Sequence, residues 1–275
     1  KNLGDMCKEV KIGSAELPLK SDDDYSKDQP VNRICSMYGI AMNAKPGETV
    51  NVAVACPLSI FKDKGKRAEY GNHIMPAGKI ECVNDGRPSI FTMDKRIVYA
   101  ESTGILTLHP ELFKDPGYDA AVVDLGGLNM NISAINNGSV IINECNTTNH
   151  GGRYLCAEIQ KRLLGKGITV TDMQVPAAIM RGYVKTHDPE DESVSKAIIE
   201  EGVNAFIDKI EETLKKTWPN FNTLELFFVG GTSFLLKPFL EKRFAGFSHF
   251  EDSLEAARFA NADGFAMKLY AKLAG

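Results

Sequence analysis

Short apolar segments separated by helical patterns and glycine-rich turns run along the whole chain. Residues 120–123 are an apolar run typical of a buried strand, and residues 130–135 and 139–143 predict two further strands. Asn137 and Gly138 lie between the last two segments, and both tolerate positive φ, which predicts a tight hairpin. The centre of the chain is therefore expected to be a buried strand followed by an antiparallel hairpin.

The other segments alternate between helical and extended patterns. Helices are expected at residues 33–43, 188–218, 234–244 and 253–273, and strands at residues 50–56, 89–93 and 223–229. Residues 97–108 predict a short strand that runs into a helix. Residues 61–87 are charged and rich in glycine, which favours edge strands and loops. Residues 1–31 predict loops with one short strand, whereas residues 168–170 and 175–180 fit no single element type.

Composition excludes several classes of function. A length of 275 residues suggests two domains of about 150 residues each. The net charge of −4 argues against general binding of nucleic acid, no apolar run is long enough to span a bilayer, and no secretory signal is visible. The six cysteines form no C-x-x-C pair, which favours free thiols over disulfides or a metal site. We therefore expect a cytoplasmic protein with no membrane partner and no direct nucleic-acid partner.

An acid followed by glycines marks the end of the central strand. Asp124 ends that strand, and Leu125, Gly126 and Gly127 follow it. Glycines let backbone N–H groups approach a phosphate closely, and the acid can hold a hydrated divalent cation. A glycine-rich hairpin with a solvated Asp is the other interpretation, and the residues alone leave both open.

A second glycine turn follows the strand expected at residues 223–229. Residues 230–233 read Gly-Gly-Thr-Ser and lead into a helix. In open α/β sheets such a turn lies at the carboxyl ends of the strands, where ligands bind. Residues 147–164 similarly predict a polar, glycine-rich loop that leads into a helix and can present N–H groups to an anion. His150 in that loop is more typical of a loop cap than of a catalytic base.

Glu101 lies where the strand at residues 97–100 passes into a helix. A carboxylate at this place can orient a water molecule as a nucleophile. A helix N-terminal Glu that interacts with the helix dipole is the alternative, and position alone favours it.

The order of these motifs resembles that of the actin-like ATPases, the superfamily of actin, the heat-shock ATPases and sugar kinases. Within it, the chain looks most like the bacterial plasmid-segregation actins of the ParM type. Residues 98–104 resemble the first connecting segment, 124–127 the second phosphate loop, 152–155 the helix start near the ribose, 228–232 the adenosine loop and 261–265 the second connecting segment. The resemblance covers most of residues 31–273.

The resemblance implies an α/β, actin-like (ribonuclease H-like) fold with a nucleotide cleft between two domains. The first domain would comprise residues 1–119 completed by residues 251–275, and the second residues 120–250. It also implies that Glu101 orients the hydrolytic water and that Asp124 holds Mg²⁺ through water. The implied contacts to ATP or GTP come from Leu125, Gly126, Gly127, Leu128, Asn129, Gly151, Gly152, Gly230, Gly231, Thr232 and Ser233.

The chain departs from the family pattern at two places. Residues 1–31 carry no match to the family's first hairpin with its Asp-x-Gly phosphate loop, so we expect that this chain, which begins with Lys1, lacks that segment. Leu128 or Asn129 stands where the family often has Thr, and Asn131 where it often has a second Asp. The loss of that charge makes the metal environment differ from the family's.

The implied function is a filament-forming, nucleotide-dependent ATPase for plasmid segregation, with itself and a plasmid-bound adaptor protein as partners. Hydrolysis is expected of the intact protein, since this chain lacks the first phosphate loop. The alternatives are an actin-like scaffold or partner-binding protein without turnover, and a small-molecule kinase of the same superfamily.

Overall fold

The computed structural model describes residues 29–84, 86–113 and 119–275. The loops, short strand and absent phosphate loop expected within residues 1–28 lie outside the described residues. In the described ranges no helix is both long and apolar enough to cross a membrane. The five described cysteines are free thiols, as predicted.

The described chain contains both helices and strands, in an order that includes runs of consecutive strands and of consecutive helices. The helices are α1 (Pro30–Asn43), α2 (Leu58–Phe61), α3 (Lys64–Ile74), α4 (Ile105–Leu108), α5 (Gly152–Leu164), α6 (Gln174–Arg181), α7 (Pro189–Thr217), α8 (Gly231–Arg243) and α9 (Leu254–Ala274). The strands are β1 (Thr49–Cys56), β2 (Gly78–Asn84), β3 (Arg87–Ala100), β4 (Asp119–Leu125), β5 (Met130–Asn136), β6 (Ser139–Val140), β7 (Asn146–Thr148), β8 (Glu225–Val229) and β9 (Ser248–Phe250). Short 3-10 helices lie at Pro110–Phe113, Ile142–Glu144 and Phe221–Thr223.

The smaller sheet has three strands in the order β1-β3-β2. Strand β3 runs parallel to β1 and antiparallel to β2. The last residues of β1 and β3, Cys56 and Ala100, are paired, and the Glu101 N–H donates to the Cys56 carbonyl at 2.9 Å. This register holds Glu101 at the carboxyl end of the sheet.

The larger sheet has six strands in the order β6-β5-β4-β8-β9, and β7 also pairs with β5. Strands β4 and β8 are parallel, with Asp124 opposite Val229. Strands β4 and β5 are antiparallel, with Asp124 opposite Asn131. The turns that follow Asp124 and Val229 therefore leave neighbouring strands at the same edge of the sheet.

Strand β4 is buried on both of its faces. Ala121, Val123 and Leu125 pack in a core with α5, α7 and α8, whereas Ala120 and Val122 pack in a second core that includes part of α9. Coverage of both faces explains why the strand is a continuous apolar run and does not alternate.

Most predicted elements are present with small shifts of their ends. Asn137 and Gly138 form the expected turn with φ of 47° and 69°. The strand expected at residues 139–143 stops at Val140, because a 3-10 helix follows at Ile142–Glu144. The helix expected to start at residue 234 begins at Gly231, so most of the second glycine turn is its first turn.

The prediction of edge strands and loops over residues 61–87 was wrong for the segment that forms α3. This helix carries few apolar residues, and only Tyr70, Gly71 and Ile74 are buried. Its start is fixed by Asp63, whose side chain accepts the N–H groups of Gly65 and Lys66 in a standard N-cap. The structure is the predicted α/β fold, and the domain boundaries at residues 119 and 250 stay a prediction.

Candidate functional site

The two glycine turns contact each other directly. Gly230 has φ of 91°, and a Cβ on it would lie 2.8 Å from Asp124 Oδ1 and would also collide with the Leu125 carbonyl. Only glycine fits this position, because it tolerates both the left-handed φ and the close approach. The Thr232 hydroxyl donates to the Gly126 carbonyl at 3.0 Å. The structure thus brings residues 124–127 and 230–233 together, as the motif order requires.

The start of α5 packs on the same loop. The N–H groups of Gly152 and Arg153 donate to the carbonyls of Gly126 and Gly127 at 2.9 and 2.8 Å. A Cβ on Gly151 would lie 2.5 Å from the Leu128 carbonyl carbon, and one on Gly152 would collide with Thr232 Oγ1. The residues of both loops and of the α5 start that are predicted to bind the nucleotide are therefore in direct contact with one another.

Glu101 is buried, with 6% of its surface exposed, and it faces the larger sheet. Its Oε2 accepts the side-chain amides of Asn131 at 2.7 Å and Asn129 at 3.2 Å. Helix α4 begins only at Ile105, with Gly104 as its N-cap residue. The alternative of a helix N-terminal Glu is therefore wrong, because Glu101 lies before the N-cap of α4 and its carboxylate accepts hydrogen bonds from Asn129 and Asn131.

The backbone that carries Glu101 is held in an unusual conformation. Ser102 has φ of 65°, in the left-handed region that non-glycine residues rarely adopt, and it is fully buried. Its hydroxyl bonds to the Glu101 carbonyl at 2.5 Å and to the Ser133 hydroxyl of β5. The Thr103 hydroxyl donates to the Ala100 carbonyl at 2.7 Å. These bonds fix the turn that points Glu101 at β5.

Asp124 is also buried, at 8% exposure, so the interpretation of a solvated hairpin Asp is wrong. Its Oδ2 accepts the Asn261 side-chain amide at 2.7 Å. Asn131 lies directly opposite Asp124 on β5, and directly opposite residues project to the same face of a sheet. Asn131 thus lies opposite Asp124 on the neighbouring strand and also donates to Glu101.

Asn261 also binds the segment that carries Glu101. Its Oδ1 accepts the Gly104 N–H at 3.1 Å, so one side chain joins Gly104 to Asp124. The backbones meet here as well, because a Cβ on Gly104 would lie 2.5 Å from the Asn261 Cα and one on Gly264 would collide with the Gly104 carbonyl. The two segments that resemble the family's connecting segments are therefore packed directly against each other.

The donor atoms at this edge of the sheet suit a hard divalent cation. Magnesium prefers oxygen ligands and keeps several waters, so one or two carboxylates are enough to hold it. Asp124 supplies carboxylate oxygens of this kind. No group of three or more His, Cys, Asp and Glu residues able to hold a metal occurs in the part of the chain that the structure describes.

His150 lies beside the α5 start, and its ring packs against Tyr154 with the centroids 4.8 Å apart. Burial lowers the pKa of the His150 imidazole, the positive charge of Lys209 lowers it further, and Glu212 acts in the opposite direction. A neutral imidazole packed on an aromatic ring is consistent with a structural role. Two open cavities, of about 290 and 530 Å³, lie along α5 and at the start of α9, and no predicted site residue lines either of them.

Three polar residues of this cluster were not predicted as site residues. Asn131 was noted only as a departure from the family pattern, Asn261 only as part of a motif, and Thr147 only as part of a loop. Thr147 donates to Asn131 Oδ1 at 2.8 Å, and Asn131 is 1% exposed. The signal in the sequence was a polar residue inside a strand-forming segment, which requires a hydrogen-bonding partner when it is buried.

Comparison with solved structures gives many matches, although no protein-family model and no curated protein matches the chain. The filament structure of Alp12 is 26% identical, with a TM-score of 0.65, and the match covers 88% of this chain and 75% of that one. The archaeal actin homologue Ta0583 in complex with ADP is 16% identical, with a TM-score of 0.69 and coverage of 90% and 80%.

ParM of Bacillus thuringiensis, solved with ATP, is 15% identical to the chain, with a TM-score of 0.63 and coverage of 94% and 78%. The predicted resemblance is confirmed for the fold: the chain has the actin-like fold of these structures.

Proposed function

We propose that the protein binds ATP or GTP with Mg²⁺, hydrolyses it, and assembles into filaments that segregate plasmids. The observation that carries this proposal is the meeting of Glu101, Asp124 and both glycine turns at one edge of the larger sheet. The matched structures support nucleotide binding, since ADP is bound to an archaeal actin homologue and ATP to a ParM protein.

The residues of the site would act by positioning and by charge. Glu101, held by two side-chain amides, orients the attacking water. Asp124 would hold Mg²⁺, which would neutralise charge on the phosphates. Residues 125–129 and 151–152 would contact the phosphates and ribose, and residues 230–233 the nucleoside. Catalysis of this kind needs no covalent step, because positioning and charge stabilisation account for most of it.

Filament assembly is the output of the proposed cycle. Alp12 was solved as a filament, and ParM proteins are among the matches, which supports self-association of this chain. Bound triphosphate and its hydrolysis product would favour different conformations, and this difference would control assembly. A plasmid-bound adaptor and a cytoplasmic location belong to the same proposal.

The test measures phosphate release and sedimentation of polymer in one sample with ATP and Mg²⁺. Glu101→Ala is expected to slow phosphate release by about 100-fold, the usual lower range for removal of a group that assists proton transfer or orients a nucleophile, and to prolong the polymer. Glu200→Ala, at an exposed site on α7, is the matched control and should behave as the parent. If the parent forms no polymer and releases no phosphate, the proposal is contradicted.

A non-hydrolysing scaffold is the second candidate, and one observation favours it. The N–H groups of Gly152 and Arg153 at the α5 start donate to protein carbonyls, and the Gly126 N–H donates to the Asn129 carbonyl. Amides engaged in this way are not available to a phosphate unless those bonds break. A chain that polymerises without releasing phosphate, whether or not it binds a fluorescent ATP analogue, would identify this function.

A further inference from the structure

We propose that Asn131, oriented by Thr147, is a positioning residue that sets the direction of the Glu101 carboxylate for hydrolysis. This inference rests on the proposed function. It concerns a residue pair that the motif comparison gave no role, since Asn131 entered only as the loss of a charge.

The contacts form a short chain across three segments. The Thr147 hydroxyl on β7 donates to Asn131 Oδ1 at 2.8 Å, and Asn131 Nδ2 on β5 donates to Glu101 Oε2 at 2.7 Å. Thr147 and Asn131 are paired residues of β7 and β5, so the strand register itself places the hydroxyl beside the amide. Asn131 and Glu101 are 1% and 6% exposed, which keeps the chain out of bulk water.

Glu101 and Thr147 together favour one orientation of the Asn131 amide. An amide has one accepting oxygen and one donating NH₂ group, and a rotation of half a turn exchanges them. With the Thr147 hydroxyl donating to Oδ1, Nδ2 points at Glu101. The rotated amide would set Oδ1 against a carboxylate oxygen and would lose the hydrogen bond to Glu101, although the Thr147 hydroxyl could then accept from Nδ2. One orientation of the amide is therefore strongly preferred.

The two amides define the orientation of Glu101. Asn131 and Asn129 both donate to Oε2, so this oxygen is fixed from two directions. Because the carboxylate is planar, fixing one oxygen in this way also restricts the direction in which Oε1 points. A water held by this group would then be held in one geometry, and misplacement of a catalytic group by about 1 Å can reduce the rate by 100-fold.

An amide and a carboxylate at position 131 have different consequences. A carboxylate within hydrogen-bonding distance of Glu101 would repel it. The Asn131 amide is uncharged and donates a hydrogen bond, so its contact with the Glu101 carboxylate is attractive. This chain therefore has a neutral positioning group where the family often has an acid.

The experiment compares ATP hydrolysis by variants of the full chain. Asn131→Ala and Thr147→Val are expected to lower kcat by about 10- to 100-fold with KM within about twofold of the parent, because orientation is lost and the nucleotide contacts remain. Thr147→Ser keeps the hydroxyl and should restore the parent kcat. Asn136→Ala, an exposed Asn at the far end of the same strand, is the matched control.

The isosteric variant Asn131→Asp separates positioning from packing. Its kcat is expected to fall at least as far as that of Asn131→Ala, because the aspartate keeps the volume of the side chain but its carboxylate repels Glu101 and donates no hydrogen bond to it. A second readout does not depend on turnover: the side-chain NH₂ resonances of Asn131 should shift in Glu101→Ala and stay in place in Asn136→Ala.

The outcomes distinguish this inference from the proposed function. Suppose that the parent hydrolyses ATP and that Glu101→Ala abolishes this activity. If Asn131→Ala and Thr147→Val then keep the kcat of the parent, the positioning role is contradicted and the proposed function is not. A parent that releases no phosphate contradicts the proposed function and the role together. Loss of kcat in Thr147→Val with recovery in Thr147→Ser supports the role.

Discussion

Asn261 is the residue through which the site and the fold depend on each other most directly. Its Oδ1 accepts the Gly104 N–H and its Nδ2 donates to Asp124 Oδ2, so both ends of the side-chain amide are hydrogen-bonded. No apolar or charged side chain of similar size offers one donor and one acceptor in this arrangement. The acid that is proposed to hold Mg²⁺ is thereby oriented by a residue 137 positions away in the sequence.

Asn261→Ala is expected to lower the free energy of unfolding by about 1–3 kcal/mol, because two polar partners in a half-buried site each lose a hydrogen bond. The measurement is urea unfolding at pH 7. Asn204→Ala, at an exposed position on α7, should change the same quantity by less than about 0.5 kcal/mol. Equal effects of the two substitutions would show that the bridge adds no stability.

At the scale of elements, the contact between residues 101–104 and α9 depends on two glycines. Gly104 and Gly264 bring the two backbones together so closely that a side chain on either would overlap backbone atoms of the other segment. Backbone cannot move aside as a flexible side chain can. The pair therefore fixes where α9 crosses the segment that carries Glu101.

Gly264→Ala is expected to destabilise the protein by about 1–3 kcal/mol or more through overpacking. Gly39→Ala is the matched helical control: Gly39 is exposed on α1, and nothing lies within 4 Å of the added Cβ. Gly39→Ala removes a flexible residue from a helix interior, so it should raise the free energy of unfolding by about 0.5–1 kcal/mol. Thermal unfolding of both variants measures the difference, and a stable Gly264→Ala variant would contradict the close contact.

The elements that the sequence predicted well are those whose pattern follows from burial alone. Strand β4 is a continuous apolar run because both of its faces are covered. The long helix α7 shows one apolar stripe because only one of its faces packs against the core. Helix α3 was missed because it buries few apolar residues and has Asp63 as its main local signal. A capping residue without periodicity behind it was too weak to outweigh the glycines around it.

At the scale of the whole molecule, the order of motifs predicted the fold, whereas the polar contacts between motifs could not be read from the chain. Asp124 and the turn at residues 230–233 meet because β4 and β8 are neighbours, which an open α/β sheet makes natural. The hydrogen bond from Asn131 to Glu101 joins the two sheets. It depends on the register of the strands and on the left-handed conformation of Ser102. The sequence marks Asn131 as a polar residue in a strand-forming segment, but it does not indicate that Glu101 is the partner.

The most direct test of the account is a crystal structure of the full chain grown with Mg²⁺ and a non-hydrolysable ATP analogue. The phosphates are expected to lie against residues 126–129, with a metal-bound water on Asp124 and the nucleoside beside residues 230–233. An analogue bound at another surface of the molecule, or none bound at a saturating concentration, would contradict it.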